Sequence, residues 1–130
     1  MSILVYQYPA CSTCKKALAF LREQEIQFES RHIVDSPPSS RQLAQVLKWL
    51  RADGGELKNL FNTSGELYRE MKIADRLKAG LSESEALDLL AQHGKLIKRP
   101  LVLGADWALV GFREEVWTKH FDKIGSAKRG

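Results

Sequence analysis

The sequence predicts an α/β domain built around a mixed four-stranded sheet, and three observations carry that prediction. Two strand-like runs flank a helical pattern near the start of the chain. A stretch of short helical patterns follows, and two further strand-like runs then precede a last amphipathic helix. The order is βαβ, a helical block, then ββα, so the block reads as an insertion between two parts of one sheet.

Each element has its own signal. Ile3 to Tyr8 (ILVYQY) is a short run of apolar, β-branched and aromatic residues stopped by Pro9, and reads as a buried strand. Cys14, Ala17, Leu18 and Leu21 recur at the spacing of one helical face and predict a helix over about Ser12 to Gln24. Ile26 to Ile33 alternates as a second strand. Pro37 and Pro38 close this unit. Ser39 with Gln42 then offers a capping box to a helix striped by Leu43, Val46, Leu47 and Leu50, which Gly54-Gly55 ends.

From Glu56 to His93 the pattern is helical in short pieces, broken at Thr63-Ser64-Gly65 and at Gly80. Ser82 and Glu85 form a second capping signal there. Leu101 to Leu103 and Trp107 to Val110, joined by Gly104-Ala105-Asp106, predict a hairpin. A final helix over about Arg113 to Phe121 is expected to bury Val116, Trp117 and Phe121. Trp49 and Trp107 are likewise expected in the core. With the block at about 39–95 set aside, the element order is that of a thioredoxin-like fold. One domain over 1–121 is expected, followed by a flexible basic tail at 122–130.

Composition narrows the function. At 130 residues, with 44% hydrophobic and 28% charged, the chain has the make-up of a globular domain with a real core. The first residues, MSILVYQY, lack the positive start and long apolar stretch of a secretory signal, and no apolar run is long enough to span a membrane. A cytoplasmic location is the expectation. The net charge of +4 leans on Lys123, Lys128 and Arg129 in the tail; without them the two signs nearly balance, so direct nucleic-acid binding is not expected.

Both cysteines of the chain, Cys11 and Cys14, stand two residues apart at the turn between the first strand and its helix. A Cys-x-x-Cys pair in that place is a redox signature. A thiolate there meets unpaired backbone N–H groups and the positive end of the helix dipole, and Lys15 and Lys16 add positive charge nearby. Cys11, just before the helix, is the expected attacking thiol, and Cys14 the resolving one. A zinc site would need two further ligands from the scattered His32, His93 and His120. A stabilising disulfide would close a very short loop, and two inert buried thiols are the remaining alternative. These rank below redox chemistry. Lys98-Arg99-Pro100 precedes the third strand, and in the expected fold its loop faces the cysteine turn. Arg99 is thus a candidate to hold an anion or the Cys11 thiolate, with a solvated surface charge as the plain alternative.

Five segments in order, YPACSTCKKAL, PPSSRQL, NLFNTSGELYREM, LIKRPLVL and VGFREEVW, resemble the arsenate reductase (ArsC)/Spx family over about residues 3 to 121. The resemblance implies a thioredoxin-like fold with a helical insertion. It also implies a nucleophilic Cys11 and an anion-contacting Arg99 before a cis Pro100. The reductases of this family carry one active cysteine and arginines where this chain has Asn62 and Phe112, with Arg113 one position away. Arsenate is therefore expected to be a poor substrate. Cys14 matches the two-cysteine Spx-like branch, whose members bind the RNA polymerase α subunit and sense thiol oxidation. Asp53-Gly54 resembles the loop after that branch's second helix. No bound cofactor is expected. Its reductant would be glutathione with glutaredoxin, or thioredoxin. Two activities follow as expectations: a thiol-dependent oxidoreductase working through a reversible Cys11–Cys14 disulfide, or a redox-controlled regulator binding RNA polymerase.

Overall fold

A computed structural model describes residues 3–129, with side chains described through residue 124. Four strands form one sheet in the order β2-β1-β3-β4, comprising β1 (Ile3–Gln7), β2 (Phe28–His32), β3 (Leu101–Leu103) and β4 (Ala108–Val110). β1 pairs parallel with β2, which the intervening helix α1 (Ser12–Glu23) makes geometrically possible. β1 with β3 and β3 with β4 are antiparallel. The sheet is therefore mixed, as the sequence predicts.

Alternation along the central strands sends side chains to two cores. Val5 and Val102 face α1 and the final helix α6 (Glu114–Arg129), packing with Ala17, Phe20, Leu21 and Trp117. Tyr6 and Leu101 face the inserted helices. These are α2 (Ser40–Ala52), α3 (Glu66–Glu70), α4 (Ile73–Lys78) and α5 (Glu83–Gln92), with 3₁₀ turns at Leu57–Leu60 and Gly94–Leu96. Both faces of the short sheet are thus covered, which its central apolar residues require.

Local chemistry sets the helix ends. The Ser39 hydroxyl accepts from the Gln42 N–H at 3.1 Å while the Gln42 side chain accepts from the Ser39 N–H at 2.9 Å. That is the predicted capping box. At α5 the Ser82 hydroxyl accepts from the Glu85 N–H, and the two side chains also bond to each other. Gly54 ends α2 in the left-handed region at φ +87°, where a side chain is disfavoured.

Three expectations are corrected. Val116 is 45% exposed rather than buried, because Trp117, at 1% exposure, takes the inward position of α6 and its neighbour turns outward. Trp49 and Trp107 are only half-buried and line an open groove with His120. α6 runs to Arg129, well past Phe121, so its backbone is helical through most of the stretch expected to be a tail. The side chains of residues 125–130 lie outside the described residues. Among the described residues no helix is long and apolar enough to cross a membrane.

Candidate active site

The loop before β3 is held from two directions. Phe61 and Ile97 form an isolated antiparallel bridge, framed by Asn62 N–H to Leu96 O at 2.7 Å and Lys98 N–H to Leu60 O at 2.8 Å. Beyond it the Arg99–Pro100 peptide is cis, and the Pro100 carbonyl accepts from Gly111 N–H at 2.9 Å. Gly111 has φ +74°, which frees the backbone to turn there, and its own carbonyl accepts the Trp117 indole N–H at 3.2 Å. These bonds bring Asn62, Arg99 and Phe112 around the start of α1.

At that start Cys11 is the N-cap residue, with extended backbone, and its sulfur accepts from the Cys14 N–H at 3.4 Å. An N-cap is normally an oxygen-bearing side chain, and a thiolate serves the same unpaired donors. Cys11 is half-buried and reaches solvent; Cys14, one turn along, is fully buried. Tyr8 N–H points at the Cys14 sulfur, 3.5 Å away.

The two thiols are driven apart. Burial alone would raise the Cys11 pKa, but the Cys14 N–H, the Cys14 thiol and then Arg99, by hydrogen bonding and by charge, outweigh it and lower the pKa below 9.0. For Cys14 burial dominates; the Tyr8 N–H opposes it, the Cys11 sulfur adds to it, and the thiol is pushed up to about 12. Lys15 and Lys16, expected to help, are both exposed, and the cation that lowers the Cys11 pKa is Arg99.

A cleft of about 340 Å³ opens on Cys11, lined by Asn62, Arg99, Phe112, Arg113 and the outward-facing Val116. All three residues singled out in the sequence, Cys11, Cys14 and Arg99, therefore meet. Arg99 is half-buried, its guanidinium carbon lies 4.8 Å above the Tyr8 ring, and its Nη1 is buried without a hydrogen-bond partner. Tyr8, Thr13 and Val116 belong to the site and were not singled out as site residues. For Tyr8 a signal existed in its place at the strand end, three residues before Cys11. For Val116 none did, since a helix with several apolar positions does not say which one faces a cleft. Among the described residues no three His, Cys, Asp or Glu side chains gather as a metal-binding group.

Known proteins share this fold and much of this sequence. YusI of Bacillus subtilis (strain 168) is 40% identical over 121 residues, covering 93% of this chain and 99% of that protein. The Global transcriptional regulator Spx of Streptococcus agalactiae is 29% identical, covering 87% of this chain and 78% of that one. A crystal structure of an ArsC family related protein from Bacteroides fragilis superposes with a TM-score of 0.83 at 44% identity, covering 92% of this chain and 97% of its own. The model of the ArsC family matches residues 6–120, and with the cysteine turn and the β3 loop both inside that span, this chain belongs to the ArsC family.

Proposed function

We propose that this protein carries out thiol–disulfide exchange through Cys11 and Cys14. The observation that carries the reading is the opposed character of two adjacent sulfurs: Cys11 lowered and open to the cleft, Cys14 raised and buried. The Cys11 thiolate attacks a substrate disulfide, forming a mixed disulfide and releasing one thiolate. That step removes the negative charge beside Cys14, one of the causes holding its proton. Cys14 then loses the proton, with the Tyr8 N–H stabilising the new thiolate, and attacks the Cys11 sulfur. The second substrate thiol leaves and the Cys11–Cys14 disulfide remains. Arg99 favours the starting thiolate. Thioredoxin, or glutathione with glutaredoxin, would return the pair to dithiol in the cytoplasm, where such reductants act.

Differential alkylation tests this. Near neutral pH Cys11 should label faster than Cys14, and oxidation should give one intramolecular disulfide that dithiothreitol reverses. Equal, slow labelling of both thiols in the folded protein would leave them as inert core cysteines.

A second reading is a redox-controlled binding module for the RNA polymerase α subunit. It is favoured by the relative named as a transcriptional regulator and by the exposed Asp53-Gly54 at the end of α2. Capture of the purified α subunit by the wild type, altered in Cys11→Ser or on oxidation, would support it; no capture in any state would reject it.

A further inference from the structure

A second cleft, of about 390 Å³, adjoins the first, and Arg99 and Asn62 line both. Its walls carry charges of both signs: Glu66 and Glu70, one turn apart on α3, with Lys95 and Arg99. Ion pairs among the described residues involve none of these four side chains. Glu66, Glu70 and Lys95 are exposed, and the Arg99 Nη1 is buried with its hydrogen-bonding capacity unused. A buried donor without an acceptor is costly, and the side chain that carries it lines this cleft.

We propose that the second cleft holds an α-amino acid group of the disulfide or thiol that reacts at Cys11, making a zwitterionic, amino-acid-bearing disulfide the preferred small substrate. The inference rests on the redox reading above. The ligand's ammonium lies against Glu66 and Glu70, and its carboxylate against Lys95 and the Arg99 guanidinium. A simple anion would meet two carboxylates, a simple cation would meet Lys95 and Arg99, and a neutral group would leave all four charges unanswered. Only a group carrying both signs pairs with each wall. The volume is in the range of small-ligand clefts. The reaction balances without a further reagent: the protein dithiol supplies two electrons and two protons, the substrate S–S bond breaks, the Cys11–Cys14 S–S bond forms, and two substrate thiols leave.

The test is single-turnover oxidation of the reduced protein, followed by loss of free thiol. Cystine and the longer homocystine are compared with uncharged hydroxyethyl disulfide, dicationic cystamine and N,N′-diacetylcystine, which lacks the ammonium groups. The wild type should oxidise faster with cystine or homocystine than with diacetylcystine by about tenfold, the effect of one charge-assisted hydrogen bond. In Glu66→Gln/Glu70→Gln, at two exposed positions, the ratio of the faster amino-acid disulfide rate to the hydroxyethyl disulfide rate should fall by a similar factor. Oxidation by hydroxyethyl disulfide with no preference for the zwitterions, or a ratio unmoved by the substitutions, overturns this inference alone. Failure of every disulfide to oxidise the pair overturns the redox reading and this inference with it.

Discussion

Tyr8 connects the cation of the site to both of its sulfurs. Its ring lies under the Arg99 guanidinium at 4.8 Å, its N–H faces the Cys14 sulfur, and its carbonyl accepts the Cys11 N–H at 3.0 Å. The guanidinium is thus seated on an aromatic platform that is itself fixed to the cysteine turn, and a cation held in place stabilises a thiolate better than one on a mobile side chain.

Arg99→Ala should therefore raise the Cys11 pKa, because it removes both a hydrogen bond and a charge that lower it. Overall stability should change by no more than about 1 kcal/mol, the scale of a partly exposed cation–π contact. Ultraviolet thiolate absorbance across pH, with a thermal melt of each protein, gives both quantities. An unchanged titration would reduce Arg99 to an ordinary surface cation.

Cys14 makes stability fall with alkali. Its thiol keeps its proton in the folded state up to about 12, whereas an unconstrained thiol loses it near 9.0. Between those values the folded state binds the extra proton, so its stabilising contribution is complete below the lower value and is lost as pH rises through the window. Cys14→Ala should remove that slope, worth one proton, above pH 9. Urea denaturation of wild type and variant from about pH 8 to 11, below gross alkaline unfolding, measures it, and parallel curves would contradict the burial of Cys14 as its cause.

Much of this arrangement was legible in local patterns. The capping box at Ser39, the Cys-x-x-Cys pair at a strand-to-helix turn and the hairpin at residues 101–110 each depend on neighbours a few residues apart, and each stands as expected. What escaped depends on distant contacts. Val116 and Trp117 are adjacent apolar residues, and only the packing of α6 against Phe20 decides which goes inward. Tyr8 has no partner in its own segment that hints at Arg99. The second cleft joins α3 to the loop before β3, elements some thirty residues apart in the chain.

Gly94 and Val116 invert what their residue types suggest. A Cβ at Gly94 would lie 1.9 Å from the Ile33 carbonyl oxygen, a backbone atom with nowhere to move. Gly94→Ala should thus destabilise by at least the roughly 1–3 kcal/mol typical of overpacking. Val116→Ser, at a half-exposed position in the cleft, should alter stability by no more than about 0.5 kcal/mol. Denaturant midpoints of the two variants decide the matter, and a large loss at Val116 would return it to the core.

Arsenate should be turned over slowly. An oxyanion bearing two or three negative charges needs several fixed donors, and the cleft at Cys11 is lined by the neutral Asn62 and the apolar Phe112. Arg99 remains, but Phe112 lies against the rings of Phe20 and Trp117, so that wall is apolar. Arg113 lines the cleft and is exposed, a mobile cation rather than a seated one. In assays coupled to glutaredoxin with glutathione, and separately to thioredoxin, the wild type should stay below about 1 turnover per second, the low end of ordinary enzymes. Asn62→Arg with Phe112→Arg should raise kcat/KM for arsenate at least about tenfold, the worth of one added charge-assisted bond. Ordinary turnover by the wild type would show that Arg99 and Arg113 suffice for the anion, and would make the apolar wall irrelevant to substrate choice.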